Sequence, residues 1–219
     1  MRNYRQENDL PRIDAFEKFP EVYDRWFEEN EWVYKSELEA ARQLLPGEGK
    51  GLEIGTGTGR FAPPLGISIG VEPSPRMAAI ARLRGLTVIE AACEALPFDN
   101  GSFDYILLVT TICFVDDPPK CLSEIHRVLK PGGNVVIGFI DGSSELGKIY
   151  KAKKGESKFY NDATFYTPAE ILSLLEKSGF GEMESRQTIF HPLSEIKSLE
   201  KVERGYGRGA FVVIKGHKA

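Results

Sequence analysis

The amino-acid sequence predicts an α/β fold in which a doubly wound, mostly parallel sheet carries helices on both faces. Three observations carry that expectation. Short apolar runs alternate with helix-like stretches from residue 51 to residue 140. Strands alternating with helices pair in parallel through right-handed crossovers, and the sheet they form is covered on both sides. The first run ends in glycines and opens towards a helix, as GLEIGTGTGR. The chain of 219 residues, 42% of them hydrophobic, contains no internal repeat or Pro/Gly/Ser linker, so residues 1–219 read as one domain.

Taken in order, residues 1–45 are aromatic and charged, with Tyr23, Trp26, Phe27, Trp32 and Tyr34 at roughly helical spacing, until Pro46-Gly47 stops them. Strands are expected over 51–54, 68–71, 86–90, 105–110 and 134–140. Between the last two lies CLSEIHRVLK, whose Leu122, Ile125, Val128 and Leu129 recur at helical spacing before Pro131-Gly132-Gly133. Residues 141–165 are polar and basic with no clear period, and read as an insertion over the sheet edge. Thr167-Pro168-Ala169-Glu170 starts a helix, with a cap, a proline at the first turn and an acid near the positive dipole end, and Gly179 stops it. Late strands are expected over 184–190 and 210–215.

Composition excludes several classes. With 28 basic against 32 acidic side chains, the balance argues against a protein built to hold duplex nucleic acid. The N-terminus has no apolar core of signal-peptide length, and no run approaches a membrane span. Cys93, Cys113 and Cys121 lack metal-ligand spacing, and His126, His191 and His217 lie far apart. A reduced, cytoplasmic protein without structural zinc is expected.

The glycine run asks which ligand needs the backbone so close. Glycine permits positive φ and leaves no Cβ in the way. A dinucleotide loop needs a third glycine where Arg60 stands, and a P-loop needs Gly-Lys-Ser/Thr where Gly59-Arg60-Phe61 stands. What fits is acid-x-Gly-x-Gly-x-Gly, Glu53 through Gly59.

With it go Gly70-Val71-Glu72-Pro73-Ser74, Glu94-Ala95-Leu96-Pro97-Phe98, Phe103-Asp104-Tyr105, Arg127-Val128-Leu129-Lys130-Pro131-Gly132-Gly133 and Phe165-Tyr166-Thr167-Pro168-Ala169-Glu170. In that order and over residues 51–180, the sequence resembles the class I S-adenosylmethionine-dependent methyltransferases, in their small-molecule-type, type 11-like branch. The resemblance implies a Rossmann-like, doubly wound, mostly parallel seven-stranded sheet whose last strand is antiparallel. It implies S-adenosyl-L-methionine as cofactor and S-adenosyl-L-homocysteine as product. The cofactor would lie against Glu53, Gly55, Thr56, Gly57 and Gly59 of the loop, and against Glu72, Pro73 and Met77 after the second strand. Cys93, Glu94 and Ala95 after the third strand, and Thr110 at the end of the fourth, would complete its site. Glu72 would accept both ribose hydroxyls. Glu53 either holds the methionine ammonium or ties down the loop, and Met77 either covers adenine or packs in the core.

Three features depart from the family. Ala92 stands where relatives have the acid that receives the adenine amino group. The stretch from Gly59 to Glu72 is about one helical turn short and contains Pro63-Pro64, so a stunted first helix is expected. Asp117-Pro118-Pro119-Lys120 imitates the motif of nucleic-acid amino methyltransferases, but it lacks their aromatic residue and reads as a helix start. Cys113 reads as buried and inert.

The expected function is methyl transfer to a small-molecule O, N or C nucleophile, by in-line positioning and desolvation. No residue is assigned as catalytic, and His126 and His191 are the candidates for a base. Substrate walls are expected from residues 141–165 and from the N-terminal segment, a helical lid carrying Tyr23, Trp26 and Phe27 on one face. Lys148, Lys151, Lys153, Lys154 and Lys158 admit an RNA or protein substrate, or a solvated loop. A non-catalytic partner subunit is the alternative from another class.

Overall fold

The computed structural model describes residues 13–219, and residues 1–12, the first part of the expected lid, lie outside the described residues. One sheet holds eight strands: β1 (Gly51–Ile54), β2 (Ile69–Val71), β3 (Thr87–Ile89), β4 (Phe103–Val109), β5 (Leu129–Ile140), β6 (Phe180–Thr188), β7 (Glu203–Arg204) and β8 (Phe211–Lys218). Their spatial order is β3-β2-β1-β4-β5-β8-β6-β7. The strands from β3 to β5 pair in parallel. β8 runs antiparallel to β5, β6 to β8, and β7 to β6. The chain leaves β1 towards β2 and later returns to its other side as β4. Open α/β sheets bind ligands at such a switch point, in the crevice beyond the strands' carboxyl ends.

Side chains alternate along a strand, and here both faces are buried. Ile106 and Leu108 of β4 join Leu52, Ile137 and Val212 on one face, whereas Leu107 and Val109 join Val136 and Val213 on the other. The first face is covered by α5 (Pro118–Val128), through Cys121, Leu122, Ile125 and Val128, and by α7 (Pro168–Lys177), through Ile171 and Leu175. The second is covered by α3 (Glu31–Arg42) and α4 (Pro75–Leu83), through Val33, Ala40, Ala78 and Ala81. Each fully buried Leu or Ile contributes about 1.5–3 kcal/mol over leaving it exposed.

The helix starts follow their caps. Asp117 accepts from Lys120 N–H at 3.1 Å and Pro118 occupies the first turn of α5, so this Asp-Pro-Pro stretch begins a helix. Thr167 and Glu170 close a reciprocal capping box on α7. Between Gly59 and β2 there is only a 3-10 turn, Pro63–Leu65, the expected stunted helix.

Some expectations need correction. The sheet has eight strands, the eighth being the two-residue β7. The last strand, β8, is antiparallel as expected, and the two-residue β7 also runs against the rest, whereas β6 points the same way as β1–β5. Residues 141–165 include a real helix, α6 (Glu145–Ala152), capped by Ser144, whose Oγ accepts from Gly147 N–H at 3.0 Å. Its half-buried Leu146 and Tyr150 are one turn apart, a period hidden among lysines. The N-terminal segment is three helices, α1 (Asp14–Lys18), α2 (Pro20–Glu29) and α3, broken at Phe19 and Asn30.

Candidate active site

The loop between β1 and β2 is held from beneath. Gly55 and Thr56 N–H both donate to Val71 O, at 2.8 and 3.0 Å. Gly55 has φ 67°, and a Cβ there would stand 2.3 Å from Thr111 Cγ2. Only glycine lets the chain turn this tightly against the end of β4. Glu53 is buried under the turn, where its Oε2 accepts from Thr56 Oγ1 at 2.6 Å and Ala62 N–H at 3.1 Å. Burial pushes its carboxyl up to about 8.

Glu72, just past β2, uses both oxygens. Oε2 accepts from Gly57 N–H at 2.8 Å, and Oε1 accepts from Ser74 N–H at 2.9 Å. The two N–H groups favour the charged form, but burial outweighs them and pushes the carboxyl up to about 7. Ser74 then caps α4, accepting from Met77 N–H, which brings Met77 over the glycine turn.

These groups face a cavity of about 290 Å³ along the carboxyl ends of the parallel strands. Of the residues singled out from the sequence, Gly55, Gly57, Glu72, Pro73, Met77, Cys93, Glu94 and Thr110 line it, as do Tyr23, Trp26 and Phe27. Glu53, Thr56, Gly59 and Ala95 do not. Glu53 and Thr56 hold each other below the loop, and Gly59 packs against Ala81 and Leu86. Ala92 lines the wall, and the neighbouring Glu94 Oε1 accepts from Asp116 and Asp117 N–H at the approach to α5.

Thr110 holds a left-handed conformation, φ 49°, which is strained for a β-branched residue and a feature that clusters at functional sites. Its N–H donates to Gly138 O at 2.8 Å, and it lines the cavity together with the phenol-bearing Tyr23. Burial, together with Glu72, Glu53 and Glu37, keeps that phenol un-ionised.

Aromatic residues of α1, α2 and the stretch 141–165 line the cavity and meet one another. Phe16 and Tyr23 meet Phe159 with ring centroids 5.5 and 5.8 Å apart, and Phe16 meets Phe114 at 5.0 Å. Tyr150 stacks on Tyr160 at 5.1 Å. Sequence reasoning missed Glu37, Tyr150, Phe159 and Tyr160. Glu37 had a readable signal, an acid one turn after Val33 and one before Ala41 on the apolar stripe of α3. Five carboxyl residues, Glu29, Glu37, Glu72, Glu94 and Asp116, line the cavity, and among the described lining residues there is no Lys, Arg or His.

Neither histidine fits the role of base. His126 of α5 packs on Phe180 at the start of β6, and His191 pairs with Glu200 at the surface. The lysines of residues 148–158 line no part of the cavity, and Lys148 pairs with Glu145 on its own helix. Cys113 is buried, its thiol pushed up to about 12 by burial. The reduced state expected for the cysteines is corrected at two of them. Cys93 and Cys121 form a disulfide that ties the cavity wall to α5, a contact between distant segments that spacing could not reveal.

Residues 52–137 match the model of a family described as a methyltransferase domain. A crystal structure from Thermotoga maritima, described as an S-adenosylmethionine-dependent methyltransferase and possible histamine N-methyltransferase, superposes with a TM-score of 0.93 and 51% identity. That match covers 94% of this chain and 100% of the other. An uncharacterized protein of Methanocaldococcus jannaschii is 48% identical over 94% of this chain and 100% of its own length. The ubiquinone/menaquinone biosynthesis C-methyltransferase UbiE of a Geobacter species is 39% identical over 42% of this chain and 46% of its own.

Proposed function

The chain belongs to the S-adenosylmethionine-dependent methyltransferases, and from that premise we propose that it methylates a small molecule enclosed in the aromatic half of the cavity. As a member of this family it is an enzyme, and S-adenosylmethionine is its methyl donor. When bound, that donor supplies a methyl group already made electrophilic by its sulfonium.

The residues suit such a ligand. A Cβ on Gly57 would project between Met77 and Tyr23, both of which line the cavity, so the glycine keeps open a cradle. A ligand with two positive centres meets carboxylates and aromatic faces there and, among the described residues, no side-chain cation. In this reading Glu72 receives the ribose hydroxyls on the lone pairs its two backbone N–H bonds leave free. Gly55, Pro73, Met77, Cys93, Glu94 and Thr110 form the surrounding wall. Glu53 and Thr56 act one layer down, by fixing the loop. The chain's main contribution to rate is then to hold the acceptor in line and to exclude water.

The enclosure of the acceptor half carries the proposal. Phe16, Tyr23, Phe114, Phe159 and Tyr160 close over the ends of β4 and β5, leaving a space suited to a small molecule. The Thermotoga protein's description names an acceptor of that size. An RNA or protein substrate is not favoured, because the lysines that suggested it stand outside the cavity. Incubation with S-adenosylmethionine and a panel of small amines, phenols and carboxylic acids, read by mass spectrometry, tests the reading. A methylated product formed together with S-adenosylhomocysteine is expected. Turnover confined to RNA or protein in parallel reactions would overturn it.

A further inference from the structure

Two of the five carboxyls lining the cavity are buried, and they differ in one respect. Glu72 is held by two backbone N–H groups. Glu37, 6% exposed, receives no hydrogen bond among the described residues, and burial alone displaces its ionisation. A buried carboxyl without a partner opposes folding, so its presence on an otherwise apolar stripe asks for a ligand.

Its position says which part of the cavity that ligand occupies. α3 lies over β5, β6 and β8, on the opposite side of β1 from Glu72 and the β3 wall. Tyr23 lines the cavity together with both acids and with Thr110 past the end of β4, and both acids disfavour ionisation of its phenol. Glu37 acts in the same way on Tyr150 of α6 and on Tyr160. Thus Glu37 lines the acceptor half of the cavity together with Tyr23, Tyr150 and Tyr160, whose phenols are all un-ionised.

We infer that Glu37 is the amine-recognition residue of the acceptor site, so that the molecule methylated carries an amino group beside an apolar body. The inference rests on the methyltransferase reading and narrows it. A carboxylate ringed by aromatic faces pairs with an ammonium group, while the ring faces attract the same charge and cover the apolar part. Neutral alcohols of equal shape lack that charge. The free carboxyl, at about 8, is mostly protonated at neutral pH. Pairing with an ammonium group favours the carboxylate, so amine binding at pH 7 releases a proton to the buffer.

Calorimetry on the full chain saturated with S-adenosylhomocysteine tests this. The probes are phenethylamine against 2-phenylethanol and benzylamine against benzyl alcohol, in two buffers of different ionisation heat. We expect each amine to bind about tenfold or more tighter than its alcohol, with a buffer-dependent heat. Glu37→Gln should bind S-adenosylhomocysteine as the wild type does, while losing both the preference and the buffer dependence. Equal binding of amine and alcohol by the wild type, which needs no variant, would overturn the inference and leave the cofactor reading standing. An undiminished preference in Glu37→Gln would overturn it too. Failure of S-adenosylhomocysteine to bind the wild type would remove the cofactor reading and this inference with it.

Discussion

Asp24 of α2 grips the guanidinium of Arg60, the first residue past the glycine run, through Nε at 2.8 Å and Nη2 at 2.5 Å. The same carboxylate accepts from Thr58 Oγ1 at 2.6 Å and Arg84 Nη2 at 2.7 Å. One side chain thus joins the roof, the loop and the end of α4. The residue that disqualifies the sequence as a dinucleotide loop is the roof's anchor.

Asp24→Ala should therefore destabilise the protein by about 1–3 kcal/mol, the scale of leaving charged donors without their acceptor. Arg60, Arg84 and Thr58 hold Asp24 well below the usual carboxylate range. A depressed carboxyl stabilises above its unfolded pKa and loses that contribution as pH falls towards its folded one. Urea denaturation of Asp24→Asn should show a shallower acid limb than the wild type. An identical acid limb would mean that the ion pair is too weakly coupled to folding to matter.

We propose that the roof over α1 and α2 is a lid ordered by ligand. Trp26 lines the cavity and Trp32 is the only other tryptophan, so fluorescence reports on this segment. Saturation with S-adenosylhomocysteine and an acceptor should change the emission and slow amide exchange over residues 14–42. Exchange that stays the same would leave a static roof, which the Asp24 anchor already favours in the free protein.

Glu72→Ala should weaken S-adenosylhomocysteine binding by on the order of 2 kcal/mol, through lost ribose bonds and a loosened Gly57. Calorimetry measures this directly. Unchanged affinity would place the ribose elsewhere.

Ala92→Asp should introduce discrimination for the adenine amino group, by about 1–2 kcal/mol in the affinity ratio of S-adenosylhomocysteine to its deaminated analogue. The wild type should show little. If the ratio is the same in both, adenine is read by other groups on that wall.

Glu37 and Glu53 are each pushed up to about 8 by burial. A raised carboxyl stabilises fully below its unfolded value and loses that contribution as pH climbs through its folded one. Stability of the ligand-free protein should therefore decline from about pH 5 towards pH 9, and Glu37→Gln should flatten part of the decline. Denaturant midpoints across this range decide it, and a Glu37→Gln curve parallel to the wild type would show that Glu37 titrates normally.

Local chemistry determined a large part of the molecule. The glycine spacing, the caps at Asp117 and Thr167, the Pro63-Pro64 interruption and the apolar runs act over a few residues, so β1 to β5, α5 and α7 are legible from neighbours alone. The same holds for the glycine loop and for Glu72 at the end of β2, because strand order and crossover hand bring those termini together. For the acceptor half, the sequence could name the segments 1–45 and 141–165 as walls, but tertiary structure alone decided which of their residues meet there. Glu37, Tyr150 and Tyr160 come from α3, α6 and the chain beyond it, and none has a local pattern that announces a shared cavity. The Cys93–Cys121 bond and the Asp24–Arg60 anchor likewise join residues far apart in sequence. Such pairings are set by how whole elements pack, a property that no short window of sequence contains.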